Sequence, residues 1–188
     1  MKTAICLYGT SGYNYSLANN LENRKPLDVK EPLTSLIEKL VLLNNSDIFL
    51  HSWSKDRKDE ITQILQPKKK VFQDFITFDK KNPYLNAIKS RFYSQSQSHN
   101  LMKSYVEENH VDYDFVMHTR LDLIWFSKFY FQNLSRHKFY VSHWNISKKR
   151  LDLELDVSND NNNLGPFDKS NFGIGVGFMD HWFVSNYE

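Results

Sequence analysis

The sequence has almost no cysteine and no long apolar run, and each scarcity excludes a class of protein. The single cysteine, Cys6, has no partner for an internal disulfide, which favours a reducing compartment. No apolar run approaches the roughly 20 residues of a membrane span. The first apolar run, residues 3–8, is too short for a signal peptide. We therefore expect a soluble, cytoplasmic protein.

Net charge is also nearly absent. The 24 basic and 22 acidic residues leave +2, which is too small to indicate a nucleic-acid partner. The run Lys68-Lys69-Lys70 is a local basic spot. A solvated turn is the first interpretation, and a weak peripheral contact with anionic membrane lipids is the alternative. With 188 residues, the chain is long enough for a single domain with a substantial core.

Strand patterns alternate with helix patterns along the chain, which predicts an α/β domain. We predict strands at residues 3–8, 47–51, 71–75, around 115–117 and at 139–142. We predict helices from Pro32, over about 56–65 and over about 84–109, and a loop at 156–171. The chain ends soon after an apolar run at 182–184, which predicts either a truncated chain or a fold without its closing helix.

The most informative segment is the apolar strand that ends in His118-Thr119-Arg120-Leu121-Asp122. Ligands of open α/β sheets bind just beyond the carboxyl ends of strands. If the chain stays extended, His118, Arg120 and Asp122 share one side. A cation and a carboxylate there suit a phosphate-bearing ligand, with or without a divalent metal. The alternative is a strand end followed by a solvated salt bridge.

Two further segments are candidates for ligand contact. The turn that begins at Gly9-Thr10 lets the backbone approach a ligand closely, although it lacks the lysine of a P-loop. The long helix is predicted to bury an apolar stripe in which Gln95 and His99 are the polar members. A satisfied buried pair is the first interpretation of these two residues. The alternative is that they line a ligand cleft together with Arg91 and Ser98.

Four segments, taken together and in order, resemble a family of sugar transferases. They are Ala4-Ile5-Cys6-Leu7-Tyr8-Gly9, Asp47-Ile48-Phe49-Leu50-His51-Ser52-Trp53, Phe115-Val116-Met117-His118-Thr119-Arg120-Leu121-Asp122 and Asp180-His181-Trp182-Phe183-Val184. The family is the GT-A-type glycosyltransferases that build microbial and viral capsular or lipopolysaccharide glycans. The resemblance implies a GT-A-like (Rossmann-like) three-layer sandwich with a mostly parallel central sheet.

The resemblance also implies a donor site for a nucleoside-diphosphate sugar. Tyr8, Gly9 and Thr10 would border the nucleotide, and Arg91 and Gln95 would contribute to the same site. The family has an Asp-x-Asp signature where this chain has Arg120-Leu121-Asp122. Asp122 would then hold the divalent metal, Mn²⁺ or Mg²⁺, or a sugar hydroxyl, and Arg120 would neutralise the diphosphate.

Sugar transfer to an acceptor hydroxyl calls for a general base if the enzyme inverts the anomeric carbon. Asp180 is the candidate base, with His181 and Trp182 as acceptor-binding neighbours; a turn aspartate that caps an element is the alternative. The expected function is a nucleotide-sugar-dependent glycosyltransferase that acts on a glycan or glycolipid acceptor in surface polysaccharide biosynthesis. The incomplete acidic signature leaves open a non-catalytic α/β module that binds nucleotide or carbohydrate.

Overall fold

A six-stranded sheet forms the centre of the protein. The computed structural model describes residues 1–11, 28–141 and 182–187. The strands are β1 (Thr3–Gly9), β2 (Ser46–Ser52), β3 (Lys69–Phe72), β4 (Phe115–Arg120), β5 (Tyr140–Val141) and β6 (Trp182–Ser185). Their order across the sheet is β3-β2-β1-β4-β6-β5.

Most of the strand pairs are parallel, as predicted. β1 pairs in parallel with both β2 and β4, and β3 extends the parallel part beyond β2. Only β6 breaks the pattern among the described strands, because it runs antiparallel to β4 and to β5. The register places Tyr8 beside Arg120 and Gly9 beside Ser52, so the carboxyl ends of three parallel strands meet at one edge.

The described helices lie between the parallel strands in the sequence. They are α1 (Lys30–Leu36), α2 (Leu42–Asn44), α3 (Lys58–Leu65) and α4 (Pro83–Asn109). A π-helical segment, Ile37–Val41, joins α1 to α2, and two 3₁₀ turns cover Lys55–Arg57 and Phe131–Asn133. Among the described residues, none of these helices is both long enough and apolar enough to cross a bilayer.

Helices cover both faces of the sheet because successive strand residues point to opposite sides. One face carries Ile5, Leu7 and Leu50, which pack in a core cluster with residues of α1, the π-helical segment and α3. The other face carries Ala4, Cys6 and Phe49, which pack against Met102 of α4 and its neighbours. The strands of the sheet centre are therefore apolar on both sides, which is what their sequences indicated.

The first helix begins at Lys30, two residues before the predicted start at Pro32. Proline is tolerated there because the first turn of a helix has no intrahelical partner for its N–H groups. The helix ends at Asn44, as predicted, and Asn45 takes the left-handed conformation with φ 48°. The buried Asn44 amide donates to the carbonyls of Leu40 and Phe129, which ties the later segment to this helix end.

Two predicted strands differ in their bounds. We predicted a third strand at residues 71–75, but β3 covers Lys69–Phe72, because its neighbour β2 ends at Ser52, which is paired with Phe72. The predicted strand at 139–142 is observed as Tyr140–Val141. The loop predicted at 156–171 lies outside the described residues.

Candidate functional site

The carboxyl ends of β1 and β4 lie side by side at one edge of the sheet, where a ligand-binding crevice is expected. The crossover through α1 covers one face of the sheet, and the crossover through α4 covers the other. The strand order reverses at this position, because the chain passes from β1 outward to β2 and β3 and then crosses to β4 on the other side of β1. In open α/β sheets, ligands bind beyond the carboxyl ends of the strands at such a reversal. The fold therefore brings the predicted residues after β1 and at the end of β4 to one topological switch point.

Gly9 is the residue at which β1 turns toward this edge. Its φ of 100° is a conformation that only glycine adopts easily. None of the described residues places a heavy atom within 4 Å of a Cβ added at Gly9, so this part of the chain leaves the space above Gly9 open. The hydroxyl of Ser52 and the backbone N–H of Trp53 both donate to the Gly9 carbonyl, at 3.0 and 3.1 Å. These bonds fix the backbone beneath the open space.

The neighbours of Gly9 differ in exposure. Tyr8 is buried, and its carbonyl accepts a hydrogen bond from the N–H of Leu121 at 3.1 Å. Thr10 is half-buried. Ser11 is buried, and its backbone N–H donates to the Ser54 hydroxyl at 2.8 Å. Of this group, Gly9 and Thr10 are thus the residues best placed to meet a ligand.

Arg120 and Asp122 come together, but not as an extended strand would place them. β4 ends at Arg120 and the chain turns through Leu121 and Asp122. The Arg120 guanidinium donates from Nε to Oδ1 at 2.8 Å and from Nη2 to Oδ2 at 2.6 Å. The two side chains are 35% and 17% exposed. The pair is a bidentate ion pair at the switch point, and the Arg120 side chain is its more exposed half.

This ion pair bears on the metal predicted at Asp122. Both carboxylate oxygens of Asp122 already accept hydrogen bonds from Arg120. Mn²⁺ and Mg²⁺ need oxygen ligands with free lone pairs and repel a neighbouring guanidinium. The guanidinium beside Asp122 therefore disfavours a divalent cation at this carboxylate, and the metal stays a prediction.

The buried face of α4 differs from the predicted stripe. The predicted stripe comprised Ile88, Phe92, Gln95, His99, Met102 and Val106. Of these, Met102 is buried but Phe92 is 56% exposed, and the other buried residues of α4 are Ser90, Ser94 and Ser98. The predicted stripe lies about a quarter of a turn away around the helix. The periodicity of apolar residues did not reveal this face, because serine is counted as a polar residue in such patterns. Small serine side chains nevertheless allow a helix to lie close to a sheet. The recurrence of serine at every fourth position was the signal that could have revealed this face.

Ser94 connects three elements at the carboxyl edge. Its hydroxyl accepts a hydrogen bond from the backbone N–H of Gly9 at 2.9 Å and pairs with Nδ1 of the buried His51 at 2.7 Å. The His51 ring meets Trp53 and Tyr93 edge to face, with centroid distances of 4.9 and 5.8 Å. Burial lowers the pKa of His51. Trp53 itself is buried.

A cavity of about 280 Å³ opens beside α4 and β4. Its lining includes Gln95 and His99, which agrees with the alternative that these residues face a cleft. Ser98 does not take part, because it is fully buried and donates to the Gln95 carbonyl at 2.8 Å. Arg91 lies half-buried with its guanidinium carbon 4.8 Å from the centre of the Phe92 ring.

His118 forms one wall of this cavity. It is 6% exposed, and its ring stacks on His99 at 5.3 Å and on Phe183 at 4.6 Å between centroids. Burial, aided by the nearby His99, lowers the pKa of His118 to about 3. His118 and Arg120 share a side of β4, as the sequence predicted, because strand residues alternate. That side is the one covered by α4.

Cys6 lies next to His118 in the register of β1 and β4. Its thiol is fully buried, and burial raises its pKa. The Cys6 Sγ atom and one ring nitrogen each of His99 and His118 all lie within 4.8 Å of one another. The sequence gives no sign of this cluster, because the residues on either side of Cys6, Ala4-Ile5 and Leu7-Tyr8, are not metal ligands of its kind. The two histidines that surround it come from distant elements.

Of the three residues predicted at the acceptor site, the structure describes only Trp182. Asp180 and His181 lie outside the described residues, and their roles stay predictions. Trp182 belongs to β6, where its ring packs on Phe129 at 5.4 Å and on Trp125 at 6.3 Å between centroids. Packing against these two rings accounts for the half-buried position of Trp182. Its acceptor role likewise stays a prediction.

No protein-family model, curated protein or solved structure matches this chain. The residues and their arrangement are therefore the whole basis for a functional proposal.

Proposed function

We propose that this protein is a nucleotide-sugar-dependent glycosyltransferase with a GT-A-like fold. In this proposal it transfers a sugar from a nucleoside-diphosphate donor to a glycan or glycolipid acceptor in surface polysaccharide biosynthesis. The diphosphate lies at the switch point between β1 and β4. The observation that carries the proposal is the open space above Gly9 at the strand edge where Arg120 and Asp122 also end.

Gly9 gives the donor a place to approach the backbone. Its positive φ and the open space above it leave room for a flat group or a phosphate against the main chain. Bonds to Ser52, Trp53 and Ser94 hold that main chain in place. A site fixed before binding loses little conformational entropy when the donor arrives.

Arg120 supplies the charge that the reaction needs. Breaking the bond between the sugar and the diphosphate places negative charge on the leaving group, and a fixed cation stabilises that charge. The bidentate contact with Asp122 holds the planar guanidinium in one orientation. Arg120 thus acts as the electrostatic partner of the diphosphate, and Asp122 acts as its positioning residue.

In this proposal, the helix α4 supplies further contacts to the sugar donor. Arg120 and His118 project toward the face that α4 covers, and Gln95 lines the cavity next to His118. We propose that Gln95 and Arg91 contact the donor from this helix. Asp180 remains the proposed base, with His181 and Trp182 near the acceptor.

A non-catalytic module that binds a nucleotide or a carbohydrate is the second candidate. It is favoured by the ion pair of Asp122 with Arg120, which places a protein cation beside the carboxylate that was predicted to hold a metal. Such a module would keep the diphosphate site and lack turnover.

Calorimetric titration of the full chain with nucleoside diphosphates and their sugars tests the proposal. We expect one nucleotide class to bind, and Arg120→Ala to weaken it by about 10-fold or more, the cost of a lost charge-assisted hydrogen bond. Arg136→Ala is the matched control. Arg136 also pairs with an aspartate, Asp114, but at the opposite end of β4, so its removal should leave nucleotide affinity unchanged.

Turnover separates the two candidates. Release of free nucleoside diphosphate from the bound donor, abolished by Asp180→Asn, supports the glycosyltransferase. Binding without release, unaffected by Asp180→Asn, supports the module. If no nucleotide of a complete panel bound, both candidates would be excluded.

The same titrations with Mn²⁺ or with a chelator test the metal predicted at Asp122. A nucleotide affinity that depends on Mn²⁺ in the parent, and no longer does so in Asp122→Asn, would support a metal at Asp122.

A further inference from the structure

We propose that Cys6, His99 and His118 bind one Zn²⁺ ion, in a site distinct from the diphosphate site. The three residues come from β1, α4 and β4, and none of them is needed for the donor site proposed above. The site would join the long helix to the two central strands.

The geometry brings the ligands close without crowding them. Cys6 and His118 are register partners on adjacent strands, and α4 places His99 over the same face. Their ligand atoms lie within 4.8 Å of one another. Tetrahedral zinc, with a bond to sulfur of about 2.3 Å and bonds to nitrogen of about 2.0 Å, needs ligand atoms roughly 3.5 Å apart. Small rotations of the imidazole rings would bring the three atoms to that separation.

Both histidines have an unsatisfied ring nitrogen. Nδ1 of His99 and Nδ1 of His118 are buried and have no hydrogen-bond partner among the described residues. A buried polar atom without a partner is costly, so native proteins rarely keep one. His118 is more than nine-tenths buried, so solvent does not compensate for the missing partner. A metal ion bound through the two Nδ1 atoms would satisfy them both.

The chemistry of the three ligand atoms indicates which metal ion would bind. One thiolate and two imidazoles suit zinc, whereas calcium, magnesium and manganese prefer oxygen ligands. The cavity of about 280 Å³ reaches His99 and His118 and provides a route for entry. A water molecule that enters through this cavity can fill the fourth position. Cys6 binds as the thiolate, so its proton leaves to solvent when the ion binds.

Cobalt titration of the metal-free full chain tests the site directly. Co²⁺ replaces Zn²⁺ in such sites and gives a thiolate-to-cobalt charge-transfer absorption. Because Cys6 is the only cysteine of the sequence, that band can arise only from Cys6. We expect the band to saturate at one Co²⁺ per chain and to disappear when Zn²⁺ is added.

One variant tests His99 as a ligand, and a second variant is its control. His99→Gln keeps a polar side chain at a half-buried helix position and should weaken Co²⁺ binding by more than about 100-fold. His137→Gln removes an exposed histidine that is not part of the cluster and should bind like the parent. Circular dichroism confirms that each variant is folded.

Two results, both obtained on folded protein, would overturn the zinc proposal. Absence of the charge-transfer band at saturating Co²⁺ would exclude Cys6 as a ligand. Equal Co²⁺ affinity in the parent and in folded His99→Gln would exclude the three-residue site. Neither result would bear on nucleotide binding, so this proposal and the glycosyltransferase proposal fail separately.

Discussion

His118 illustrates how much a fold can change one side chain. In the sequence it is one polar residue at the end of an apolar strand. In the structure it is enclosed by His99, Phe183 and Cys6, and its pKa falls from 6.5 to about 3 because burial disfavours the charged ring. The neutral imidazole that results keeps a lone pair available at neutral pH.

This shift predicts a pH dependence of stability. Between pH 6.5 and about 3, His118 binds a proton in the unfolded chain but not in the folded one. Stability is therefore fully present above pH 6.5 and is lost as pH falls through this window. Replacing His118 by Asn should flatten the curve by up to about 1.4 kcal/mol per pH unit.

Urea denaturation with a chelator present, repeated at several pH values, measures the effect. The chelator removes any metal, so that only protons compete for the imidazole. His118→Asn is expected to lower stability at neutral pH, so the informative quantity is the slope against pH. An unchanged slope would show that His118 titrates in the folded chain as it does in the unfolded one.

At the scale of the element, α4 is held by small polar residues rather than by a continuous apolar stripe. Ser90, Ser94 and Ser98 face the sheet, and Met102 continues the row into the second core cluster. The hydroxyl of Ser94 serves the backbone of β1 and the side chain of His51 together. The same helix thereby sets the position of Gly9 and carries His99 and Gln95 to the cavity.

Replacing Ser94 by Ala should lower the free energy of unfolding by about 1–3 kcal/mol, because the Gly9 N–H and His51 Nδ1 lose their partner inside the protein. Ser96→Ala is the matched control, since Ser96 is exposed on the same helix and its change should stay within about 0.5 kcal/mol. Denaturant midpoints of both variants give the comparison. Equal midpoints would mean that the Ser94 hydrogen bonds contribute nothing net.

At the scale of the whole molecule, β6 joins the end of the described chain to the centre of the sheet. It pairs with β4, and its residues alternate between the two faces. Phe183 stacks on His118 on the α4 side, whereas Trp182 packs on Phe129 and Trp125 on the other side. This antiparallel strand therefore supports both the cavity and the larger core cluster.

Trp182→Ala should lower the free energy of unfolding by about 2 kcal/mol, less than full burial of an aromatic ring would cost, because Trp182 is half-buried. Phe126→Ala is the control, since Phe126 is 87% exposed. Urea denaturation measures both. If Trp182→Ala left stability unchanged and weakened only acceptor binding, the acceptor role would replace the packing role.

The described elements were largely predictable, because the signals for them are local. Apolar runs indicated β1, β2 and β4, and the long helix was predicted within one residue of its observed start. The errors came where contacts decide: β3 stops where β2 offers no further partner, and α4 turns its serines inward. At the site, the ion pair of Arg120 and Asp122 was foreseen as the alternative to a ligand-binding pair, and the structure shows that ion pair. Its bidentate geometry was not foreseen.

The sequence by itself determined the alternation of strands and helices, because hydrophobic periodicity is written into neighbouring residues. Only the tertiary structure decided which side chains meet. Cys6 and His118 become neighbours through the register of two strands far apart in the chain, and His99 joins them through the packing of α4. Strand register and helix rotation depend on the summed packing of the whole core, and no single segment contains that information.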